Sequence, residues 1–598
     1  MQIPQGKRWI DAQAAPDDIQ AVIDSYGFSP PMAKTLASRG LVSREDIARF
    51  LQPRISDLVD PFAIPGLKDA CDIILDHIEN GSVILVYGDY DVDGVTATAL
   101  MVQVLSELGA QTVPFIPHPI EDGAGFELDP LMRCIRVHHP QLVVTVDCGT
   151  SSVQAVDAAS RLGIDVVITD HHEPSDAGIA HHACALVNPK LGPVHGVQSG
   201  APKAVRMLAG VGVAFKLCHG LVRSARARGV EEASHIDLTR YLDMVAMGTV
   251  ADIVPLLDEN RILVYHGLRL MNHTRSVGIK TLLKTADVAG EVDTYHIGFI
   301  IGPRINAAGR LGHADSALEL LLTEDPKRAM DLAAKLSHDS LDRQQIEDRI
   351  VREACEDLDA RFDPERDFGL VVAHENWHAG VIGIVASRLA SRYNRPVVVI
   401  DKNPDGIGRA SCRSIPGFDL LRHLTPCADI LRRFGGHAMA AGLQIDLDRI
   451  PEFATRFNAV CAGTLRGADI QRQLTVDAWL EPKNINDHLY ADQARLRPFG
   501  HSNPVPVWGL RNVVPVYPPR VSGGKHLKCF FNIHGIQREA IGFGMGDRRV
   551  PSGPLDIAFN LILNRYNGQT YLQLHLQDFR AAQPEVPSPP PPDPGPEE

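Results

Sequence analysis

Short apolar runs alternate with helical stretches between about residues 82 and 190. Segments with helical spacing, such as 94–109 and 151–162, lie between the runs. This alternation predicts a largely parallel sheet covered by helices, and such sheets bind ligands beyond the carboxyl ends of their strands. The predicted strands are SVILVY (82–87), TVPFI (112–116), LVVTV (142–146), DVVIT (165–169) and ALV (185–187).

A second pattern, from residue 327 to 363, contains neither Gly nor Pro and has apolar residues at helical spacing. It predicts one helix about 55 Å long at 1.5 Å per residue, a length typical of a connector between domains. Two helices broken near Ser337–Ser340 are the alternative. Strand-like runs at 369–374 and 396–400, around a helix at about 380–392, predict a second α/β region.

After about residue 470 the pattern changes to short β-like runs separated by turn residues, which predicts a small barrel or sandwich. These runs lie at 474–480, 513–517, 529–534, 540–543 and 571–576. The last 18 residues are Pro-rich and acidic, a composition typical of disorder. The predicted fold class is α/β, with two α/β lobes joined by a long helix and a C-terminal OB-like β-barrel. The predicted divisions are an N-terminal helical segment (1–60), a first lobe (61–325), the connecting helix (326–363), a second lobe (364–468), the β domain (469–580) and the tail (581–598).

The charge of the chain is uneven. The 598 residues carry a formal net charge of −14, which by itself argues against a nucleic-acid partner. Residues 510–549, however, contain seven basic and two acidic side chains, a local charge of +5. Local potential governs phosphate binding more directly than the sum over the chain, so the net charge excludes no class of function.

The cysteines and the apolar runs bear on the compartment. The ten cysteines form no C-x-x-C pair, so neither a disulfide framework nor a structural zinc site is expected, and a reducing cytoplasm is the expected location. The start, MQIPQGKRWIDAQ, lacks the apolar core of a secretory signal. A run of about 18 uncharged apolar residues is missing, so no membrane association is predicted.

Three carboxylates at alternate positions, Asp89, Asp91 and Asp93, follow the first predicted strand in VYGDYDVDG. If strand geometry continues through them, they point to one side. Three like charges so close repel one another, and a divalent cation is the usual remedy. The alternative is a solvated acidic turn that caps the next helix, and D-x-D-x-D-G also resembles calcium loops.

Three further polar sites end apolar runs. Asp147 follows LVVTV, the tripeptide 170–172 with His171 and His172 follows DVVIT, and Asp252 ends a run of small apolar residues. Of three His-His pairs in the chain, only this one follows an Asp at the end of a predicted strand. Carboxylates and imidazoles without thiolates favour Mn²⁺ or Mg²⁺ over zinc. Two such ions bridged by one carboxylate would activate water against a phosphoester.

These motifs, in this order, resemble those of the DHH phosphoesterase superfamily, named after the tripeptide at 170–172. The resemblance implies a bridging role for Asp147, and the Gly-x-x-x-Asp pattern from Gly248 favours Asp252 over its rival Asp243. The implied catalytic residues are Asp91, Asp93, Asp147, His171, His172 and Asp252. The implied ligands of two ions, Mn²⁺ or Mg²⁺, are Asp89, Asp91, Asp93, Asp147, His171 and Asp252.

Four further stretches are similar to the RecJ exonucleases within this superfamily: GPRINAAGR (302–310), HAGVIGI (378–384), RASCRS (409–414) and FGGH (434–437). The last three lie in the second lobe, which resembles a DHHA1 domain. Glycines let backbone N–H groups approach a phosphate, and arginine and histidine side chains can hold it; a turn, a cap or a surface charge is the alternative for each. The implied substrate-binding residues are Arg304, Asn306, Arg310, His378, Ser411, Arg413, Gly435, Gly436 and His437.

The chain departs from the RecJ pattern in one segment. RecJ proteins usually have Pro-Asn-Arg followed by Glu-Gly-Tyr-Gly, whereas this chain has Pro117-His118-Pro119 and then Asp122-Gly123-Ala124-Gly125. Pro119 and Ala124 thus replace an arginine and a tyrosine. The change puts substrate contacts or activity in doubt but removes no predicted metal ligand.

Basic and aromatic residues alternate in the late β region, a pattern that suits a single-strand-binding platform. Some of the aromatic side chains must be core, since Phe530 and Phe531 are adjacent, and an all-core role is the alternative. RecJ-like proteins carry an OB domain at this place. The predicted platform residues are Arg520, Lys525, Lys528 and Phe530.

The resemblance implies a single-stranded-DNA-specific exonuclease of DNA repair and recombination. It implies 5′ to 3′ polarity, a two-metal mechanism, release of 5′-mononucleotides and a channel between the lobes too narrow for duplex. It also implies a monomer that works with a single-strand-binding protein and a helicase. Two alternatives stay open: a catalytically weak or inactive DNA-binding relative, and a DHH phosphodiesterase acting on small nucleotides.

Overall fold

The structure, a computed structural model, describes residues 6–119, 121–123, 125–174, 178–192, 200–466, 470–566 and 568–582. The chain divides into two compact units. One contains Gln52–Ile470 with Pro498–Pro504, and the other contains Met1–Leu51, Gln471–Arg497 and Val505–Glu598. None of the described helices is both long and apolar enough to cross a membrane.

The helices and strands of the described residues alternate in the first unit and are mainly strands in the second. The strands are β1 (Arg8–Asp11), β2 (Val83–Tyr87), β3 (Gln111–Phe115), β4 (Leu142–Val146), β5 (Asp165–Thr169), β6 (Ala185–Val187), β7 (Leu370–Glu375), β8 (Val397–Lys402), β9 (Ile407–Arg413), β10 (Arg433–Gly436), β11 (Ala440–Asp446), β12 (Gln473–Val476), β13 (Ala478–Trp479), β14 (Trp508–Val513), β15 (Arg520–Ser522), β16 (His526–Ile533), β17 (Ile536–Gly542), β18 (Leu555–Tyr566) and β19 (Gln569–Ala581). The helices are α1 (Pro16–Tyr26), α2 (Pro30–Ser38), α3 (Arg44–Leu51), α4 (Leu67–Glu79), α5 (Val92–Glu107), α6 (Leu128–His138), α7 (Val153–Arg161), α8 (Gly210–Arg228), α9 (Leu242–Ala251), α10 (Asp258–Met271), α11 (Val277–Thr285), α12 (Thr294–His296), α13 (Gly302–Leu311), α14 (Asp315–Leu322), α15 (Pro326–Arg361), α16 (Ile382–Tyr393), α17 (Leu420–Leu424), α18 (Ile450–Leu465) and α19 (Asp487–Ala494).

The first lobe is built on a five-stranded parallel sheet of order β3-β2-β4-β5-β6, as the alternating apolar runs predicted. The chain moves from β2 outward to β3 and then returns to the other side of β2 to form β4. The order of the strands therefore reverses between β2 and β4, which is where open sheets of this kind form a crevice at their carboxyl edge. Helix α5 follows β2 and is almost wholly buried, because its residues pack against the sheet and the neighbouring helices.

Helix α15 is continuous over 36 residues, so it spans about 54 Å. The alternative of two helices broken near Ser337–Ser340 is wrong. The helix leads to the second lobe, a five-stranded sheet of order β10-β11-β9-β8-β7 in which only β7 and β8 are parallel. Arg388 on α16 donates to Glu347 Oε1 on α15 at 2.9 Å, which fixes α16 against α15. Arg343, also on α15, donates to Glu347 Oε2 at 3.0 Å.

The second unit contains a seven-stranded mixed sheet of order β13-β14-β18-β19-β17-β16-β15. Strand β1 pairs in parallel with β12, and Trp9 Nε1 donates to Asp578 Oδ2 at 2.8 Å. The prediction of a helical segment at 1–60 did not anticipate this pairing. The predicted run at 513–517 is not a strand, since β14 ends at Val513. Residues 583–598 of the predicted disordered tail lie outside the described residues.

Candidate metal centre and active site

The predicted acidic and histidine residues of the first lobe converge at the point where the order of the strands reverses. The loop after β2 carries Asp89 and Asp91, β4 ends just before Asp147, and β5 ends two residues before His171. Asp252 caps the carboxyl end of α9. Parallel strands thus deliver side chains from distant parts of the sequence to one edge of the sheet.

His171 is the centre of this convergence. Its Nε2 lies 3.2 Å from Asp147 Oδ1, 3.6 Å from Asp252 Oδ2 and 3.9 Å from Asp93 Oδ2. Three sets of potential ligand atoms each fall within 4.8 Å of one another, and they share Asp147 or His171. The sets are Asp147 with His171 and His172, Asp93 with His171 and Asp252, and Asp89 with Asp91 and Asp147.

The three alternating carboxylates do not point to one side of a continuing strand, so that expectation is wrong. Strand β2 ends at Tyr87 and α5 begins at Val92, two residues before the predicted helical segment 94–109. Asp91 becomes the N-cap of α5, where its Oδ1 accepts from the N–H groups of Asp93 and Gly94 at 2.9 and 3.1 Å. The alternative of a helix-capping turn is therefore correct for this one carboxylate, which also belongs to a ligand set.

Asp93 is held by the start of a second helix, α8. Its Oδ2 accepts from Gly210 N at 2.6 Å and its Oδ1 from Val211 N at 2.8 Å. The first amides of a helix lack intrahelical partners and carry partial positive charge, so they stabilise a buried carboxylate. A Cβ on Gly210 would lie 2.3 Å from Asp147 Oδ1, and only glycine leaves this room. The sequence reasoning missed Gly210, which is the first residue of α8.

Asp147 is buried in a left-handed conformation, with φ of 63° directly after β4. Such a backbone costs of order 1–3 kcal/mol at a non-glycine residue, and it commonly occurs at functional sites. Asp147 Oδ1, Asp89 Oδ1 and His171 Nε2 are buried without any hydrogen-bond partner among the described residues. Buried polar atoms are nearly always satisfied, so three orphaned ligand atoms in one cluster indicate that something else binds there.

The electrostatics of the cluster also fit a cation. Burial, followed by the neighbouring Asp91 carboxylate, raises the pKa of Asp89 and of Asp252 to about 7 each. Burial and the surrounding carboxylates raise the pKa of Asp93 and Asp147 well above the ordinary range. Burial lowers the pKa of His171 to about 3, which leaves a neutral imidazole able to ligate. Oxygen and imidazole donors around like charges fit Mn²⁺ or Mg²⁺.

Asp170 organises the two histidines rather than joining the ligand sets. Its Oδ1 accepts from His171 N at 2.7 Å and from His172 Nδ1 at 2.7 Å, and its Oδ2 accepts from Thr150 N at 2.9 Å. Burial alone would lower the pKa of His172, but its hydrogen bond to Asp170 raises that pKa to about 9. A carboxylate on the far ring nitrogen orients a metal-ligating or phosphate-binding histidine. The sequence reasoning did not assign this role.

Asp243, the rival for the fourth motif, lies outside the cluster. It is buried and accepts from Thr274 Oγ1 at 2.6 Å, whereas Asp252 approaches His171. In the segment that departs from the RecJ pattern, Pro119 is described, whereas Ala124 lies outside the described residues.

The predicted substrate residues of α13 flank the acidic loop. Asn306 Oδ1 accepts from Val92 N at 3.0 Å, so this side chain supports the start of α5. Arg304 donates to Ile300 O at 2.6 Å and is half-buried. Arg310 donates to Gly380 O at 3.1 Å in the second lobe and forms no ion pair with a described carboxylate. Asn306 thus has a structural contact, whereas the positive charge of Arg310 has no carboxylate partner among the described residues.

In the second lobe, Arg413 and Ser411 lie together on β9 at the start of α16. Arg413 Nη1 donates to Ser411 Oγ at 3.0 Å, and a Cβ on Gly383 would lie 3.1 Å from both side chains. Burial lowers the pKa of Arg413, and the positive charge of Arg310 lowers it further. His378 is half-buried, while Gly435, Gly436 and His437 are exposed where β10 turns toward β11. Paired arginines without carboxylates at this place suit an anion.

The predicted platform residues lie on β15, β16 and the turn between them. Arg520 and Lys525 are exposed, and Phe531 is the neighbour that faces the core. Lys528 pairs with Glu539 at 2.8 Å and lies 5.5 Å from the centroid of the Phe530 ring. Phe530 is half-buried and lies beside this cation.

Comparisons with known proteins agree with this geometry. The DHH family, N-terminal domain, matches residues 83–249, the DHHA1 domain matches 367–463 and the RecJ OB domain matches 476–578. The single-stranded-DNA-specific exonuclease RecJ of Bacillus subtilis is 34% identical over 96% of this chain and 70% of its own length. The protein of the same name from Escherichia coli is 34% identical over 94% of this chain and 98% of its own.

Solved structures give the same result. The crystal structure of RecJ in complex with Mn²⁺ from Thermus thermophilus matches with a TM-score of 0.80 and 30% identity, covering 97% of this chain and 80% of that one. Its complex with Mg²⁺ matches with a TM-score of 0.75 and 29% identity over 97% and 79% of the two chains.

The fold and the acid- and histidine-lined crevice define a metal-dependent phosphoesterase of the DHH class. Within that class the matches extend over nearly the whole chain and include the OB domain. The chain belongs to the RecJ family of single-stranded-DNA-specific exonucleases. The predicted family, fold class and enzyme class are confirmed.

Proposed function

We propose that this chain hydrolyses single-stranded DNA from its 5′ end and releases 5′-mononucleotides with the help of two divalent cations. The observation that carries the proposal is the linked arrangement of ligand sets, in which Asp147 and His171 each belong to two. A shared carboxylate is what holds two ions a few ångströms apart. The residues that would hold them are Asp89, Asp91, Asp93, Asp147, His171 and Asp252.

When bound, two such cations stabilise charge on the phosphoester and lower the pKa of an attacking water. The protein contributes position. Helix starts hold Asp91 and Asp93, and Asp170 holds His172 so that its Nε2 is available to a phosphate or an ion. Arg310 from the end of α13 and Arg413 from the second lobe would bind the terminal phosphate, and the exposed cations of the OB domain would bind the single strand.

The test uses purified protein with Mn²⁺ and end-labelled single-stranded, duplex and dinucleotide substrates. Mononucleotides from single strands alone, appearing first from the 5′ end, are the expected result. Binding without turnover would instead indicate an inactive relative, and cleavage of the dinucleotide alone would indicate a small-nucleotide phosphodiesterase. The same assay compares Asp252→Asn, which changes a proposed ligand, with Asp243→Asn. Asp243 lies outside the ligand sets, so Asp243→Asn is the matched control.

The remaining expectations belong to the same proposal. They are a monomeric enzyme, partnership with a single-strand-binding protein and a helicase, a role in repair and recombination, and a reducing cytoplasm as the compartment. The ten free thiols, nine of them buried, are compatible with that compartment. The proposed domain boundaries are those predicted at 61–325, 364–468 and 469–580.

A further inference from the structure

Three histidines from separate segments meet in the unit that contains the metal centre. His118 follows β3, His313 follows α13 and His378 follows β7. The rings of His118 and His313 have centroids 4.8 Å apart. The loop of His378 contacts the end of α13, three residues before His313, because Arg310 Nη1 donates to Gly380 O at 3.1 Å. Burial, followed by His118, lowers the pKa of His378. No described carboxylate forms an ion pair with any of the three.

The hydrogen bonds of two of these rings fix where their protons are. Glu121 N donates to His118 Nδ1 at 3.1 Å, and Gly380 N donates to His378 Nδ1 at 3.1 Å. A backbone N–H can only donate, so both Nδ1 atoms accept and the hydrogen of each neutral ring is on Nε2. Within the described part of the chain, neither Nε2–H finds an acceptor. Each ring thus offers one neutral donor and is poorly suited to bind a metal through Nε2.

The surroundings favour a phosphate as the acceptor. Gly380, which fixes His378, also accepts from Arg310 Nη1 at 3.1 Å. A Cβ on Gly380 would lie 2.3 Å from Arg310 O, so this loop packs tightly on α13. Arg310 in turn is one of the charges that act on Arg413. The loop that carries the His378 donor therefore borders Arg310, and neither Arg310 nor Arg413 forms an ion pair with a carboxylate of the described residues. A phosphodiester oxygen is complementary to such a set.

We infer that His118 is a substrate-binding residue that donates from its Nε2–H to one backbone phosphate of the single strand. The inference rests on the proposed function and deepens it. His118 lies in the segment where the chain departs from the RecJ pattern and has Pro119 in place of an arginine.

The test measures each protein variant on each chemically modified strand, so that the effects of the two changes can be compared alone and in combination. Metal-loaded full-length protein releases the first nucleotide from short single strands in which each phosphodiester beyond the scissile one is replaced, one at a time, by a neutral methylphosphonate. With the unchanged chain, a methylphosphonate at one position should raise KM about tenfold and leave kcat unchanged, as expected for loss of a hydrogen bond to a charged group. His118→Phe keeps an aromatic ring but has no N–H donor. This variant should have a KM about tenfold higher on unmodified DNA, and the methylphosphonate at the sensitive position should raise its KM no further.

Two further variants separate the donor from the fold. His118→Gln can place an amide N–H near the position of Nε2 and should keep the sensitivity. His118→Asn can still accept from Glu121 N but reaches no further, and it should behave like His118→Phe. The same methylphosphonate profile in the unchanged chain and in both His118→Phe and His118→Asn would overturn the inference. If neither the unchanged chain nor any variant cleaves a strand, the proposed function fails instead. Strand binding by the same variants to the same modified strands, measured by fluorescence anisotropy, then tests the role of His118.

Discussion

Replacing Asp252 by asparagine should stabilise the metal-free protein, because its carboxylate is costly without a cation. Its pKa in the folded protein is about 7, against an ordinary value of 3.8. At 1.36 kcal/mol for each pKa unit this difference is worth about 4 kcal/mol, and sharing of protons with the neighbouring acids reduces it to about 2–4 kcal/mol. The side chain is 24% exposed, so solvent screening is incomplete.

The pH dependence of this gain has a definite sign. The folded pKa lies above the unfolded one, so the folded protein binds the additional proton. The free energy of unfolding therefore falls as the pH rises from about 4 to about 7. Asp252→Asn removes this loss, so its advantage should be full at about pH 8 and much smaller at about pH 5.

Calorimetry on protein treated with a chelator measures the effect. The unfolding transition whose midpoint responds to Mn²⁺ identifies the unit with the site. In a unit of this size about 1 kcal/mol corresponds to about 1 °C, so the expected rise is a few degrees at high pH. With Mn²⁺ at about a hundred times its Kd, the unchanged chain gains about 2.7 kcal/mol and the variant gains less. A variant that is less stable at both pH values without metal would refute the reasoning.

The matched control is Asp243→Asn. This carboxylate is also buried, and burial raises its pKa, but it accepts from Thr274 and contacts no ligand set. Its substitution should leave the stabilisation by Mn²⁺ unchanged. A loss of that stabilisation in Asp243→Asn would place a metal ligand at Asp243, in the first turn of α9, rather than at Asp252 at its carboxyl end.

Three further outcomes are expected. Asp147→Ala should abolish mononucleotide release while single-strand binding, followed by fluorescence anisotropy, stays close to that of the unchanged chain; unimpaired cleavage would contradict the metal assignment. Gly436→Ala should lower stability by about 1–3 kcal/mol in thermal unfolding, because φ is 142° and its Cβ would lie 2.4 Å from a carbonyl oxygen, whereas Gly463→Ala, inside α18 with open space around it, should not. Replacing Arg520 and Lys525 by alanine should weaken strand binding and reduce its salt slope by about one for each phosphate that is no longer neutralised, and an unchanged slope would place the strand elsewhere.

The sheet of the first lobe was predictable because most of its strands are buried on both faces, the edge strand β3 excepted. Such strands appear as continuous apolar runs, and β4, β5 and β6 have the predicted bounds. Strand β1 was not predictable, since RWID is short and half-exposed and acquires its structure by pairing with β12, more than 460 residues later. Local pattern contains no information about a partner so distant.

The ligands of the site were predictable as residue types at strand ends, but their arrangement was not. Period-two spacing suggested that Asp89, Asp91 and Asp93 share one side, whereas the early start of α5 separates Asp93 from the other two. Gly210 gave no signal of its own, because its function is the absence of a side chain next to Asp147. Packing of α8 against the strand ends creates that requirement, and only a three-dimensional structure displays it.

The carboxylates of the site divide into two kinds, and the division explains how a chain can fold around so much negative charge. Asp91, Asp93 and Asp170 accept from backbone N–H groups, two of them at helix starts, so protein dipoles stabilise them before any ion arrives. The buried oxygens Asp89 Oδ1 and Asp147 Oδ1 have no such donor. The carboxylates with backbone donors fix the geometry of the site, and the oxygens without donors keep their lone pairs for cations. Backbone donors therefore hold part of the ligand geometry without an ion, and bound cations would stabilise the carboxylate oxygens that lack such donors.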